Sequence, residues 1–164
     1  MTSKKLPPET TSDYYGSYPQ VFKHLKKLGD RDQECGVLVT LDKGCFLIKR
    51  HLISLGGWNE DSTDLKVLFN RIVADKASRF LFAHNHSNGV AAVSKPDVRF
   101  TIAVIFIADL LEVDFMDHVI FPYKREPVSI KQKYPQLFKR NYQEVFTKAT
   151  NKFLPKYYEQ TEIE

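Results

Sequence analysis

The sequence predicts an α/β or α+β domain in which a mixed central β-sheet is packed by helices. Three observations support this prediction. Helix-like and strand-like hydrophobic periods alternate along the chain, the run RFLFAHNH is short and apolar enough for a central strand, and helix-like segments flank that run. With 164 residues, 43% of them hydrophobic, the chain is long enough for one domain with a proper core.

The first elements are an arm and a helix. Residues 1–16 carry paired prolines and small polar residues without a hydrophobic period, which is typical of a flexible N-terminal arm. The segment SYPQVFKHLKKLG then predicts a helix that ends near Gly29. Its apolar residues fall on one face: Val21, Phe22, Leu25 and Leu28.

Two strands and a second helix follow. The segment ECGVLVTLDKGCFLIKRHLISLGG contains two β-rich runs, and Asp42-Lys43-Gly44 between them predicts a hairpin. The segment DSTDLKVLFNRIVADKAS predicts a helix capped by Ser62 or Thr63, which must cover a sheet. Its apolar face is made of Leu65, Leu68, Phe69, Ile72 and Val73.

The remaining elements complete a domain over residues 17–122. RFLFAHNH predicts a central strand covered on both faces. SKPDVRFTIAVIFIADLLEV places Pro96 in a first helical turn and is apolar almost all round, which predicts a buried helix. DFMDHVIFP predicts a further strand.

His84 and His86 end the central strand one residue apart. Residues i and i+2 of a strand point to the same face about 6.6 to 7 Å apart, so both imidazoles can bind one ion. A hydrolytic zinc site usually has three protein ligands at about 2.0 to 2.2 Å and a water in the fourth position. Asp97, at the start of the next helix, is a candidate third ligand.

Ser94 and Asp97 also fit a purely structural role. The spacing Ser94-x-x-Asp97 is that of a capping box, in which hydroxyl and carboxylate satisfy backbone donors of the first turn. With this chain's own residue counts, the whole pattern HxHx7SxxD arises by chance in about one such chain in two thousand. The full pattern therefore favours a metal site, although the capping box stays open for Ser94 and Asp97.

At these residues the sequence resembles the JAMM (MPN-type) metalloprotease-fold domains, most closely their RadC-like JAB branch. HNHSNG, VSKPD and DHVIF stand where that branch typically carries HNHPSG, PSxxD and DHxIV. The similarity covers about residues 30–121. It implies a JAMM/MPN-like, cytidine-deaminase-like architecture and hydrolysis of a peptide or isopeptide bond in a peptide or protein substrate.

The resemblance also implies a role for each matching residue. ECGVLVTLD corresponds to the family's ExFxxLxLD, with Cys35-Gly36 where a bulky aromatic residue is usual. The implied set is His84, His86 and Asp97 as Zn2+ ligands, Glu34 as general base and Ser94 as a hydrogen-bond donor to the transition state. Ser87-Asn88 replaces the family's Pro-Ser and Val93 replaces the proline before Ser94, so both changes remove backbone restriction from the loop that leads to Asp97.

Residues outside the metal signature carry weaker functional signals. Asp117 and His118 are interpreted as a second-shell or packing pair on the neighbouring strand, and not as a catalytic dyad. Trp58 is predicted either to line a substrate groove or to pack on its own domain. Two cysteines without metal spacing, no secretory segment and no run of about 20 apolar residues predict a cytoplasmic protein without a membrane contact.

The C-terminal extension, residues 123–164, carries the positive charge. Residues 121–164 hold nine Lys or Arg against five Asp or Glu, whereas residues 1–120 hold fifteen of each. The apolar residues of the extension predict a helix docked on the domain, and they are Leu137, Tyr142, Val145, Phe146 and Ala149. The interleaved basic and aromatic residues of the extension could alternatively bind nucleic acid, but a solvated basic face is favoured over that interpretation.

Two functions therefore stand at this level. The first is a zinc-dependent hydrolase, which an intact Glu34 and Ser94 favour. The second is a zinc-stabilised binding or accessory module associated with DNA processing, with little or no catalysis, which the basic extension and the altered loop favour. The oligomeric state is not predicted.

Overall fold

A computed structural model describes residues 9–55 and 65–139, together with Thr147. Five strands within this part of the chain form one sheet in the order β2-β1-β3-β4-β5. Their bounds are Cys35–Leu41 (β1), Leu47–Leu55 (β2), Arg79–His86 (β3), Asp114–Pro122 (β4) and Val128–Ser129 (β5). The β3 and β4 strands are parallel and the other pairs antiparallel, so the sheet is mixed as predicted.

Helices cover both faces of this sheet. Their bounds are Tyr18–Leu25 (α1), Leu65–Ala74 (α2), Lys95–Leu110 (α3), Ile130–Lys133 (α4) and Pro135–Phe138 (α5), and a 3-10 turn at Lys26–Leu28 follows α1. The first core lies between α1 and the sheet, and the second lies between the sheet and the helices α2 and α3. These three layers confirm the predicted fold class.

The β3 strand lies at the centre of the sheet. It pairs with β1 on one side, where His84 lies opposite Gly36, and with β4 on the other, where His84 lies opposite Ile120. Its residues 80–85 are all buried. The prediction of a central strand covered on both faces is therefore correct, and His86 is the last residue of this strand.

The hairpin between β1 and β2 also forms as predicted. Asp42 organises it, since its Oδ1 accepts hydrogen bonds from the backbone N–H groups of Gly44 at 2.8 Å and Phe46 at 2.9 Å. Cys45 adopts a left-handed backbone with φ of 65° in this turn. An aspartate that accepts from the backbone two residues on is a common turn device.

Two burial predictions are wrong. Val73, assigned to the apolar face of α2, is 61% exposed, and α3 is not buried almost all round because Phe106 and Leu110 are 37% and 43% exposed. The physical reason is that α3 packs on one face of the sheet, which covers only the side chains that face it. Composition alone does not bury the other side of such a helix.

The first part of the C-terminal extension belongs to the fold. The Asp117 carboxylate on β4 accepts hydrogen bonds from the Ser129 hydroxyl and from the backbone N–H of Lys131 at 2.9 Å, which holds β5 and α4 in place. Leu137 and Phe138 pack against the second core. The other residues of the predicted docking helix, and Ser62, Thr63 and Trp58, lie outside the described residues.

Over residues 9–55 and 65–139, none of the helices has the length and hydropathy needed to cross a bilayer.

Candidate metal centre

The site begins with two histidine rings side by side at the end of β3. Alternation along the strand points both rings to the α3 side of the sheet, where their Nε2 atoms lie 3.0 Å apart. His84 is fully buried, and His86 lies at the rim. His86 Nδ1 lies 2.8 Å from the carbonyl oxygen of Val90, which can only accept, so this nitrogen donates and Nε2 faces the site with its lone pair.

Asp97 joins the histidines from the first turn of α3. Its Oδ2 accepts hydrogen bonds from Ser94 N at 2.7 Å and Ser94 Oγ at 2.6 Å, and its own N–H donates to Ser94 Oγ at 3.1 Å. Its Oδ1 is buried without a hydrogen-bond partner and lies 3.1 Å from His84 Nε2. The capping box is thus present on Oδ2, while Oδ1 faces the histidines.

These three side chains have the geometry of a metal-binding group. Their ligand atoms all lie within 4.8 Å of one another. Tetrahedral zinc with bonds of 2.0 to 2.1 Å places neighbouring ligand atoms about 3.3 Å apart, close to the 3.0 and 3.1 Å separations around His84 Nε2. A buried carboxylate oxygen without a hydrogen-bond partner, close to two imidazole nitrogens, is a suitable place for a cation. His84, His86 and Asp97 could therefore hold a metal ion.

The electrostatics of the group are those of one anion between two imidazoles. Burial lowers the pKa of His84. Burial alone would also lower the pKa of His86, but the nearby Asp97 carboxylate and the hydrogen bond to Val90 outweigh it and raise that pKa. Burial would raise the pKa of Asp97, yet the adjacent imidazoles of His84 and His86 and the hydrogen bond from Ser94 hold it well below its usual range. Asp97 is therefore ionised, as a hard-metal ligand must be.

Glu34 reaches the site from the neighbouring strand. It lies two residues before Gly36, the partner of His84 in the β1–β3 pairing, so it shares the face of the two histidines. The Glu34 charge favours the protonated form of both histidines, although burial still leaves the pKa of His84 lowered. Ser87 Oγ lies 3.5 Å from Glu34 Oε1. The structure thus brings together all five residues of the implied set, and Glu34 remains half-buried at the rim.

The Asp117-His118 pair divides between the two faces of the sheet. His118 Nε2 lies 2.8 Å from His84 Nδ1. Burial, and to a smaller extent the charge of a protonated His84, hold the pKa of His118 well below its usual range. Asp117 points to the α1 side, where it holds Ser129 and Lys131, and burial raises its pKa. Only His118 is placed to support a ligand.

Thr101 is a residue of the site that the sequence interpretation missed. Its Oγ1 lies 2.7 Å from His118 Nδ1 and 2.7 Å from the carbonyl oxygen of Asp97. A local signal existed, because Thr101 is a polar residue in an apolar helix four positions, about one helical turn, after Asp97.

Comparison with known proteins agrees with this architecture. The family model described as the RadC-like JAB domain matches residues 16–135. The chain belongs to this family. UPF0758 proteins are among its relatives: that of Geotalea uraniireducens (strain Rf4) is 30% identical over 107 residues, which are 65% of this chain and 47% of the relative. The resemblance to the RadC-like JAB branch is therefore confirmed.

Two further UPF0758 proteins give the same picture. That of Porphyromonas gingivalis (strain ATCC BAA-308 / W83) is 32% identical over 93 residues, 57% of this chain and 41% of the relative. That of Syntrophotalea carbinolica (strain DSM 2380 / NBRC 103641 / GraBd1) is 29% identical over 114 residues, 69% and 50% respectively. The chain spans about half the length of the curated relatives it matches.

This RadC-like JAB domain holds the loop after His86 by hydrogen bonds where prolines are usual. Gly89 N donates to the His86 carbonyl at 3.1 Å, and the Asn88 side chain accepts from Val90 N at 3.0 Å. Gly89 has φ of +73°, which disfavours other residues there. Together with the bond from His86 Nδ1 to Val90, these contacts restrain the loop on its way to Ser94.

Proposed function

We propose that this chain is a zinc-dependent hydrolase of peptide or isopeptide bonds. The observation that supports the proposal is the convergence of His84 Nε2, His86 Nε2 and Asp97 Oδ1 on one point, with the Glu34 carboxylate beside them. Two histidines and one carboxylate form a ligand set of the catalytic zinc type, which leaves a position for water.

Zinc in this position would lower the pKa of a bound water toward about 7 and polarise a substrate carbonyl. Glu34 then acts as the general base: its carboxylate accepts the proton of the attacking water and returns it to the leaving amine. Its half-buried position at the rim suits this role, since it faces both the histidines and incoming substrate. Ser87 Oγ contributes by orienting Glu34 Oε1.

Ser94 is the proposed donor to the oxyanion that forms from the substrate carbonyl. The Ser94 hydroxyl donates its hydrogen to Asp97 Oδ2 in this structure. To donate to the oxyanion it must rotate toward the substrate, while Ser94 N keeps its hydrogen bond to Asp97. Loss of one oxyanion donor costs roughly 2.7 to 4 kcal/mol in the barrier. Ser94 therefore both holds a ligand and supplies a transition-state contact.

Metal analysis followed by cleavage of a peptide library tests the proposal. We expect about one zinc per purified chain and cleavage that stops on chelation and returns on addition of zinc, because the open position of the ion supplies the nucleophile. Cleavage that survives complete removal of the metal would contradict the mechanism. A chain with stoichiometric zinc but no cleavage would favour the second candidate function.

That second candidate is a zinc-stabilised accessory module that binds nucleic acid during DNA processing. A basic groove of about 400 Å³ between α1 and the β4–β5 connection favours it. Four exposed cationic residues line this groove with only two acidic ones, Asp30 and Glu126. The cationic residues are Lys23, Lys26, Lys124 and Arg125. Phe22, which is half-buried, supplies an aromatic ring in the same groove, whereas Phe121 is buried in the first core.

Salt-dependent binding of single-stranded DNA tests this candidate. Each neutralised phosphate contributes a slope of about −0.7 to a log-log plot of affinity against salt, so Lys23→Glu with Lys26→Glu should weaken binding and make the slope shallower. Lys43→Glu, at the exposed hairpin tip, is the matched control. Truncation after Lys139 measures how much residues 140–164 contribute to DNA affinity, and it does not remove β5 or α4. DNA affinity that does not change with salt, or that is the same in the Lys23→Glu/Lys26→Glu variant and in the truncated chain as in the parent, excludes this candidate.

A further inference from the structure

Thr101 sets the direction of a chain of hydrogen bonds behind the metal site. Its Oγ1 is buried and lies 2.7 Å from the carbonyl oxygen of Asp97. Two oxygen atoms at this distance need a hydrogen between them, and the carbonyl has none, so the Thr101 hydroxyl donates. The lone pair of Oγ1 is then directed at His118 Nδ1, also 2.7 Å away, and this nitrogen must carry the ring hydrogen.

His118 passes this constraint on to His84. A neutral imidazole carries one ring hydrogen, so His118 with its hydrogen on Nδ1 has only a lone pair on Nε2. That Nε2 lies 2.8 Å from His84 Nδ1, which must therefore donate. The neutral His84 ring then has no hydrogen on Nε2, the nitrogen that lies 3.1 Å from Asp97 Oδ1.

We infer that Thr101 and His118 are positioning residues that fix the tautomer of His84 and keep its Nε2 lone pair directed at the metal site. The inference rests on the proposed metal centre, since the tautomer matters only where Nε2 binds an ion. The opposite direction of the chain, with Thr101 donating to His118, would place a hydrogen on His84 Nε2 and block that ligand. The carbonyl oxygen of Asp97 excludes that direction.

The chain of hydrogen bonds also joins two ligands to each other. It runs from the backbone of Asp97 on α3, through His118 on β4, to the ring of His84 on β3. The start of α3 and the orientation of the His84 ring are therefore linked through the same three contacts. Groups that orient a metal-binding histidine in this way typically change metal affinity about 10- to 100-fold when they are removed.

Zinc affinity of the full chain, measured by competition with a chromogenic chelator, tests the inference. Thr101→Val keeps the shape but removes the hydroxyl, and should weaken zinc binding about 10- to 100-fold. Thr101→Ser restores the hydroxyl and should recover most of the affinity. Thr40→Val is the matched control, because Thr40 is equally buried but bonds to Asp75, away from the site. It should lower thermal stability and leave zinc affinity unchanged.

A second measurement needs no bound metal. Long-range nitrogen–proton NMR of the histidine rings in the zinc-free full chain should find the ring hydrogen on Nδ1 of both His84 and His118. In Thr101→Val, His118 should populate both tautomers. A hydrogen fixed on His84 Nε2 with Nδ1 bare, or a Thr101→Val affinity within about twofold of the parent, overturns the inference. A parent chain without zinc affinity would reject the proposed function, and the NMR result would still decide the tautomer.

Discussion

Replacing His84 and His86 together by alanine should reduce bound zinc from about one ion per chain to almost none. The substitution removes two of the three protein ligands, and a single carboxylate, already half engaged in capping α3, does not retain zinc against water. Asp97→Ala should empty the site as well, because it removes the only anionic ligand. Elemental analysis of protein purified without added metal, before and after dialysis against a chelator, measures the stoichiometry.

The control is His51→Ala. His51 Nε2 lies 2.6 Å from Asp75 Oδ2, so this variant also loses a partly buried histidine and its carboxylate contact, but outside the site. It should keep its zinc. All variants need a cooperative melting transition, so that lost metal is not confused with lost folding. Near-stoichiometric zinc in a folded His84→Ala/His86→Ala variant would reject this site as the metal centre.

Glu34→Gln should lower hydrolysis by about 100-fold or more while zinc content and folding stay unchanged. The amide has nearly the shape of the carboxylate, but it cannot accept a proton from water at neutral pH. Because Glu34 interacts with both histidines through its charge and is not part of the ligand group, its neutralisation should not release the ion. The rate is measured at matched zinc loading on a peptide found in the library.

Asp32→Asn is the matched control for Glu34→Gln. Asp32 is an exposed carboxylate two residues earlier on the same segment, so its variant makes the same change in net charge outside the site. Its rate should equal that of the parent. An unchanged rate in Glu34→Gln would remove Glu34 from the mechanism, and loss of zinc in that variant would make it a ligand instead of a base.

Sequence periodicity was sufficient for the elements that carry the site. The apolar run ending in His84 and His86 and the hairpin at Asp42 follow local rules, and both form as expected. Glu34 has no such local signal. It is brought to the histidines by the register between β1 and β3, which joins residues about fifty positions apart, and only the family resemblance identified it.

Other features of the site could not be predicted from the sequence because they depend on tertiary packing. Spacing assigns one role to Asp97, either cap or ligand, whereas the structure divides the roles between Oδ1 and Oδ2. The contact of Thr101 with His118 depends on how α3 lies against β4, a packing relation that neither segment encodes alone. The prediction that α3 is buried almost all round, Phe106 included, was wrong for the same reason. Apolar composition does not specify which face of a helix meets the sheet.

The divided carboxylate of Asp97 makes helix formation and ion binding linked equilibria. The same side chain closes the first turn of α3 and offers Oδ1 to the site, so fraying of that turn would withdraw a ligand. By reciprocity, an ion held at Oδ1 would stabilise the turn to the same extent in free energy. The backbone amides of Lys95, Asp97 and Val98 would then exchange with solvent more slowly in the metal-loaded chain, and the start of α3 would report locally on occupancy.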